Sequence, residues 1–193
     1  MFTFFNYLSK NHTLDSLGIL PQIMPRGLKE TSSLIAVGFS ITETAPNTFT
    51  QGQIDLQLNP LDNEVFVVYA IDLDCEVPDA IAATNTSMLS ALTTTSRTAM
   101  PNLSDSTCLA VKNTRIRAAG FVDGGVGFTT GSNESPATQL DYLGIIATND
   151  FFIQIEGQNN GVAHGMSGKL YGVRARADAS VYAALVQSEV LSA

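Results

Sequence analysis

Three acidic side chains that alternate along the chain are the residues best suited to chemistry. They are Asp72, Asp74 and Glu76. Alternate residues of an extended strand point to the same side, so a strand that continues through this segment would present three carboxylates together. Carboxylate oxygens are hard ligands of the kind that Ca²⁺ takes. The spacing therefore predicts a structural calcium site; the alternative is a strand end whose charges are solvated or paired with Arg115 and Arg117.

Arginines also alternate along the chain, at two places: Arg115 with Arg117, and Arg174 with Arg176. Alternation on a strand puts both guanidinium groups of a pair on one side of the sheet. Each group can then form charge-assisted hydrogen bonds with a carboxylate. We expect salt bridges at both places, either within one subunit or between subunits.

The histidines do not form a recognisable catalytic motif. The sequence contains two, His12 near the N-terminus and His164 in a glycine-rich turn. Ser167 follows His164 closely, but the Gly-x-Ser-x-Gly spacing of a nucleophile elbow is absent. The glycine run at 124–127 lacks the Lys-Ser/Thr ending of a phosphate-binding loop and indicates a backbone bend. We therefore expect a protein that is not an enzyme, with no catalytic residue and no cofactor besides the calcium ion.

The two cysteines, Cys75 and Cys108, match no metal-binding or redox spacing, because they lie 33 positions apart. The interpretation that we favour is two buried free thiols, and the alternative is a single disulfide between them. Two cysteines in a chain of 193 residues exclude a disulfide-rich scaffold.

The composition limits the class of protein further. Hydrophobic residues make up 45% of the chain and charged residues 15%, with a net charge of −8. The apolar content excludes a disordered chain, and the lack of a basic stripe argues against direct contact with nucleic acid. No apolar run reaches the roughly 18 to 20 residues of a membrane-spanning helix, so no membrane span is expected.

Residues 1–30 are predicted to form an extended arm instead of part of the core. Gly18, Pro21, Pro25 and Gly27 interrupt regular structure there. The start of the arm is rich in apolar side chains, which must be buried either on the protein's own core or on a neighbouring subunit. These predicted subunit contacts are Phe2, Phe4, Phe5, Tyr7 and Leu8.

From residue 31 onward, short alternating segments separated by Gly, Pro, Asn and Asp predict antiparallel strands. We expect one domain over 31–193, with strands near 33–44, 49–58, 64–73, 108–128, 139–147, 151–156 and 164–177. The segments Gln139–Ala147 and Phe151–Glu156 are predicted to form a hairpin. The predicted fold class is therefore all-β: an antiparallel two-sheet sandwich, similar to a jelly roll, with an extended N-terminal arm and a C-terminal helix.

Two segments depart from the strand pattern. Residues 82–107 are rich in Ser, Thr and Asn and are predicted to form a long loop, which in a compact domain usually serves function or interaction. Asp178 is a good N-cap, and the composition that follows it predicts a helix at about 179–191.

The combination of these features resembles the structural proteins of viruses and phages, most of all a single jelly-roll capsid subunit. The chain is rich in Thr, Asn, Ala and Gly, poor in Lys and free of Trp. It adds an aromatic N-terminal arm, a β-sandwich pattern and one long neutral loop. The resemblance covers the whole chain in composition and layout. It implies a subunit that tiles a closed shell through contacts made by arms and loops.

This resemblance implies a self-assembling protein of the virion, put together in the host cytoplasm. Its partners would be copies of itself, in pentamers, hexamers or a larger shell, together with other virion proteins. The arm contains only three basic residues, Lys10, Arg26 and Lys29, so another component would neutralise the genome. Two alternatives remain open: a phage tail-tube or decoration protein, and a β-sandwich module that binds carbohydrate or another ligand.

Overall fold

The computed structural model describes residues 24–120, 125–131 and 140–191, which contain ten β-strands and one α-helix. The predicted arm contacts Phe2, Phe4, Phe5, Tyr7 and Leu8 lie outside the described residues. The elements are β1 (Leu28–Glu30), β2 (Ile35–Thr42), β3 (Thr50–Asp55), β4 (Glu64–Cys75), β5 (Thr86–Thr93), β6 (Cys108–Arg117), β7 (Val126–Gly131), β8 (Gly144–Ile146), β9 (Asp150–Gln158), β10 (Gly165–Ala177) and α1 (Ala179–Leu191). A short 3-10 helix, Pro60–Asp62, joins β3 to β4.

The strands form two antiparallel sheets whose pairing is nested along the chain. In sheet A, β10 pairs with β4 on one side and with β1 and β2 on the other, and β8 pairs with β4. Sheet B has the order β3–β9–β5–β6–β7. The pairs β2·β10, β3·β9, β4·β8 and β5·β6 lie one inside the next, as in a long hairpin folded over into two sheets. This connectivity is that of a jelly roll, and the predicted fold class is confirmed.

The hydrophobic core lies between the two sheets. Phe39 of β2 and Phe151 of β9 meet edge to face, with ring centroids 5.7 Å apart at an angle of 74°. Lys112 of β6 also joins the sheets, because its Nζ donates a hydrogen bond to the carbonyl oxygen of Leu73 at 2.7 Å. Other large side chains in this core are Phe66, Val68, Ile71, Met88, Leu92, Ile153, Ile155 and Leu170.

Strand β4 changes the face that it presents to the core at Tyr69. Phe66 and Val68 face the core before this point, and Ile71, Leu73 and Cys75 face it afterwards. The register against β10 shifts here, so that Tyr69 is an extra residue in the strand, a β-bulge. The alternation of core-facing and outward-facing side chains in β4 therefore shifts by one residue halfway along the strand.

Helix α1 covers the part of sheet A that precedes this bulge. Val181, Tyr182, Leu185 and Val186 share one side of the helix, since they recur at three- to four-residue intervals. They pack against a second apolar cluster made of Val65, Val67, Ala147, Val173, Ala175 and Ala177. The predicted C-terminal helix is confirmed. Among the described residues, no helix is long and apolar enough to span a membrane.

The predicted loop over residues 82–107 is wrong at its centre, because Thr86–Thr93 forms strand β5 between β9 and β6. The Ser and Thr residues of β5 interrupt the apolar alternation that would indicate a strand. Inside the protein, however, their hydroxyl groups form hydrogen bonds. Ser90 Oγ donates to the carbonyl oxygen of Lys112 at 2.9 Å, and Ser87 Oγ donates to Gln158 Oε1 at 3.0 Å. Small hydroxyl-bearing residues can therefore line a buried strand when each hydroxyl has an acceptor.

Three other boundaries also differ from the expectation. Leu28–Glu30, placed in the arm, forms β1 and pairs with β10. The segment 108–128 contains two strands, β6 and β7, instead of one. The expected hairpin at 139–156 is wrong, because β8 pairs with β4 in sheet A while β9 lies in sheet B. The turn between β8 and β9 thus crosses from one sheet to the other.

Candidate functional site

The three carboxylates predicted to bind calcium are not brought together. Asp72 and Asp74 are exposed on the outer face of sheet A, and Glu76 turns its Oε2 toward the backbone N–H of Gly165, at 2.8 Å. Among the described residues, no group of three or more His, Cys, Asp or Glu side chains is placed to hold a metal ion.

His164 lies between two acidic side chains at one end of the sandwich. Its Nδ1 is 3.3 Å from Oε2 of Glu76, and its Nε2 is 3.4 Å from Oδ1 of Asp79. The ring is buried, and its Nε2 has no partner with hydrogen-bond geometry. Both carboxylates belong to the connection that follows β4, while His164 precedes β10. The three side chains therefore join two connections that are far apart in the sequence.

Glu43 ties a third connection to the same place. Its side chain is only 4% exposed, directly after β2. Oε1 accepts hydrogen bonds from the backbone N–H groups of Gly157, at 2.6 Å, and Thr48, at 3.2 Å. Oε2 accepts one from the backbone N–H of His164, at 3.1 Å. A single carboxylate thus satisfies three backbone donors that would otherwise be short of partners.

Asn160 forms further hydrogen bonds between these connections. It pairs reciprocally with Asn47: its N–H donates to Asn47 Oδ1 at 2.7 Å, and Asn47 Nδ2 donates back to its carbonyl oxygen at 2.8 Å. Its own Oδ1 accepts from the N–H of Asp79 at 3.1 Å. Asp79 Oδ2 in turn accepts from the N–H of Gly161 at 2.7 Å. We call the set Glu43, Asn47, Glu76, Asp79, Asn160 and His164 the loop-end network.

The geometry of the loop-end network is suited to holding loops in place. A general base needs a ring nitrogen within reach of the proton that it removes. Each ring nitrogen of His164 faces a carboxylate instead, and no Ser, Thr or Cys of the described chain is hydrogen-bonded to the ring. Ser167, the nearest serine in the sequence, is exposed on strand β10. The network therefore fixes three connections relative to one another.

Apolar side chains stand exposed around this network. Val77 is 67% exposed and Val162 is 56% exposed, with Ile81 also at the surface. The N–H of Val162 lies 3.3 Å from Oδ2 of Asp79, so the two connections that carry these side chains touch. The two connections thus present three exposed apolar side chains at the same end of the sandwich, and exposed apolar surface of this kind is a candidate for covering by a partner. We call Val77, Ile81 and Val162 the apolar loop patch.

The second arginine pair forms the expected salt bridges within one subunit. Arg174 Nη1 lies 3.6 Å from Glu64 Oε2, and Arg176 Nη2 lies 2.9 Å from Asp62 Oδ1. Arg174 also donates to the carbonyl oxygen of Leu56 at 3.0 Å. These contacts fasten the end of β10 to the connection between β3 and β4.

The first arginine pair has a different environment. Arg115 and Arg117 are exposed on the outer face of sheet B and form no ion pair with any described residue. The alternative in which they neutralise the acidic strand end is therefore wrong within one subunit, since that strand end lies in sheet A. The two arginines border a depression of about 300 Å³ whose other walls are mostly polar, formed by Asn85, Thr86, Ser87, Gln158 and Asn159 together with the apolar Ile116.

Cys75 and Cys108 are both free thiols, which is the interpretation that the sequence favours; Cys75 is buried as predicted, whereas Cys108 is only half-buried. Burial raises the pKa of each thiol to about 11. For Cys75, a hydrogen bond with Ser90 and the nearby charge of Lys112 act in the opposite direction but are smaller. Thiols with so high a pKa are unreactive, because the thiolate is the nucleophile.

The sequence patterns point to His164 and Glu76 but do not connect them, and they do not mark Glu43 or Asn160 as members of a site. One signal was available for Asn160, which lies in the segment Gly157–Gly161, a strong turn in the sequence. The neighbouring Asn159 has a left-handed backbone, with φ of 57°. Nothing in the sequence around Glu43 distinguishes it from an exposed glutamate.

Comparison with known proteins gives little further information. No protein-family model matches the chain, and no curated protein matches its sequence. Among solved structures, a chain of Desmodium yellow mottle tymovirus matches with 13% sequence identity and a TM-score of 0.32. The match covers 83% of this chain and 98% of that chain. A likeness this distant carries no argument, so the nested strand pairing alone defines the fold class.

Proposed function

We propose that this chain is a shell subunit of a virion, which assembles through repeated contacts with copies of itself and has no enzymatic activity. The observation that carries the proposal is the apolar loop patch, exposed on connections that the loop-end network holds rigidly. Jelly-roll domains occur in viral capsids and also in lectins and cupins, so the fold by itself does not decide among these classes.

The rigidity of the connections supports an interaction role for the patch. Ordering a flexible loop on binding costs conformational entropy, which is subtracted from the affinity. Here buried side chains such as Glu43 and Asn160 have already fixed the backbone that carries Val77 and Val162. A partner that covers the patch would therefore gain apolar burial without that entropic cost.

The surface composition supports the same proposal. With only 15% charged residues, the chain offers broad areas that can be covered without removing many charges from water. Interface centres are depleted in charged residues for this reason. The localisation that follows is the virion, with assembly in the host cytoplasm, and the partners that follow are other copies of the chain and other virion proteins.

The test is the size of the purified full chain, measured by multi-angle light scattering, with negative-stain microscopy of the same fractions. We expect pentamers, hexamers or closed particles. A stable monomer of 20.5 kDa at all salt and protein concentrations would overturn the proposal. Open tubes or rings that never close would replace it with the tail-tube alternative.

A further inference from the structure

A row of side chains crosses the outer face of sheet B and centres on Arg115. In the strand register, Arg115 lies opposite Ser87 of β5 and opposite Phe128 of β7. Ser87 lies opposite Gln158 of β9. Residues directly opposite each other in an antiparallel sheet share a face. Met88, the neighbour of Ser87, points into the core, so the row faces outward.

Arg117 extends this surface, since it lies two residues along β6 and opposite Val126. The two apolar side chains that accompany the arginines are more than half exposed, Val126 at 52% and Phe128 at 53%. Aromatic residues and arginine are the types enriched at the centres of protein interfaces. We call Arg115, Arg117, Val126 and Phe128 the arginine face.

The same molecule presents a complementary surface on the opposite side of the sandwich. Asp72 and Asp74 are exposed on the outer face of sheet A. Close to Asp74 and Glu76 is a depression of about 360 Å³. Lys169 lies opposite Asp72 in the register, yet the carboxylates outnumber this one cation. We call Asp72 and Asp74 the acidic face.

We propose that the arginine face of one subunit docks on the acidic face of the next, a contact that rests on the self-assembly proposed above. One subunit cannot join its own two faces, because they belong to different sheets and point away from each other. A second copy can join them, and that copy has its own arginine face free for a third. Such head-to-tail contacts build closed rings or open arrays, according to the rotation at each step.

The chemistry of the two faces fits this pairing. Arginine forms two parallel hydrogen bonds with a carboxylate, which fixes orientation as well as supplying attraction. Neither arginine of the arginine face forms an ion pair with a described residue of its own subunit. Opposite charges across an interface mainly determine which surfaces meet and how fast, and salt screens them.

The inference is tested by charge reversal in the full chain. The double variant Arg115→Glu/Arg117→Glu and the double variant Asp72→Lys/Asp74→Lys are each expected to lose at least nine-tenths of their assembled particles. The quadruple variant exchanges the signs of both faces and keeps the native net charge of −8. It is expected to recover assembly, which neither a folding defect nor a general charge effect would explain.

The matched control is Asp55→Lys/Asp141→Lys, which makes the same charge change as Asp72→Lys/Asp74→Lys at exposed residues outside the arm, the acidic face and the arginine face. We expect it to assemble like the native chain, and thermal melting checks that every variant is folded. Native assembly together with unchanged assembly of Arg115→Glu/Arg117→Glu would overturn this inference alone. A quadruple variant that stays disassembled would also overturn it. A native chain that stays monomeric would overturn the proposed function as well.

Discussion

Glu43 and His164 are joined by two reciprocal hydrogen bonds. The backbone N–H of Glu43 donates to the carbonyl oxygen of His164 at 3.0 Å, and the N–H of His164 donates to Oε2 of Glu43 at 3.1 Å. The end of β2 is thereby fastened to the start of β10, its neighbour in sheet A. The same carboxylate reaches Gly157 in sheet B, so it also ties the two sheets together at this end.

Replacing Glu43 tests how much the loop-end network stabilises the fold. Glu43→Ala leaves buried backbone N–H groups without acceptors, and each such group costs about 1 to 3 kcal/mol. We expect the free energy of unfolding to fall by about 3 kcal/mol, measured by urea denaturation. The control is Glu30→Ala, at an exposed glutamate, which should change it by less than about 0.5 kcal/mol. Equal stability of the two variants would contradict the role given to Glu43.

The close approach of Phe39 to Gly168 predicts a second large effect. A Cβ atom at Gly168 would lie 2.6 Å from the ring of Phe39 and 2.5 Å from the carbonyl oxygen of Asp72. Overpacking of this kind costs about 1 to 3 kcal/mol, so Gly168→Ala should lower the melting temperature clearly. Gly38→Ala is the control, because no heavy atom lies within 4 Å of its added Cβ. A Gly168→Ala protein as stable as Gly38→Ala would show that this packing is looser than described.

Glu189 predicts how stability changes with pH. It lies buried in the last turn of α1 and accepts hydrogen bonds from the N–H groups of Ala147, at 3.1 Å, and Thr148, at 2.9 Å. Burial raises its pKa above the ordinary value of 4.5, and these hydrogen bonds offset only part of the rise. At a pH between the ordinary pKa and the raised pKa, the folded protein then binds more protons than the unfolded chain does. The free energy of unfolding should therefore fall as pH rises through this window.

The comparison that isolates Glu189 is with Glu189→Gln, which keeps the side chain's shape but does not titrate. We expect the native chain to lose stability relative to this variant between pH 4.5 and the raised pKa, as measured by urea denaturation at several pH values. Parallel curves for the two proteins would show that Glu189 does not carry this pH dependence.

The cysteines provide a chemical check of the core. At pH 8, a thiol of pKa about 11 has roughly a hundredfold less thiolate than one at the ordinary value of 9.0. Cys75 and Cys108 should therefore react with iodoacetamide at least a hundredfold more slowly in the native protein than in urea. Both should react after unfolding without a reducing agent, as counted by mass spectrometry. A protein that stays unlabelled in urea, with a mass short by two hydrogens, would show a disulfide instead.

The apolar loop patch predicts the effect of surface substitutions on assembly. Val77→Ser/Val162→Ser removes exposed apolar area without touching the core, so we expect native melting but at least a tenfold rise in the protein concentration needed for assembly. The control is Leu61→Ser, which removes a side chain that is 94% exposed at the opposite end of the sandwich, between β3 and β4. If both variants assemble like the native chain, the patch is not a subunit contact.

The strands that the sequence indicates clearly are those with alternating burial. Ile54 and Leu56 signalled β3 and its continuation, and the apolar run from Val65 signalled β4, which is buried on both faces where α1 covers it. Strand β5 gave no such signal. Its Thr and Ser residues are typical of a loop, and only tertiary hydrogen bonds, such as that of Ser90 with Lys112, make them suitable for burial.

The candidate site was less predictable than the fold for a related reason. Glu43 and His164 are 121 positions apart, and their contact depends on which strands become neighbours. The alternation at Asp72 and Asp74 correctly places two carboxylates on one face. It does not predict that Glu76 leaves the strand and binds the backbone of Gly165 instead. Local patterns give the face of a residue, while the partner across the sheet comes from the topology.

The extra residue at Tyr69 has a consequence for how this chain can vary. Before it, odd-numbered residues of β4 lie under the helix; after it, even-numbered residues, Asp72 and Asp74 among them, face outward. Deleting Tyr69 would give the whole of β4 a single alternation of core-facing and outward-facing residues. Either the acidic side chains would then point into the core, or Phe66 and Val68 would point away from it. Strand β4 can therefore accept many changes of residue type but not a change of length by one, so related chains should keep their residue count in β4 even where their sequences have diverged.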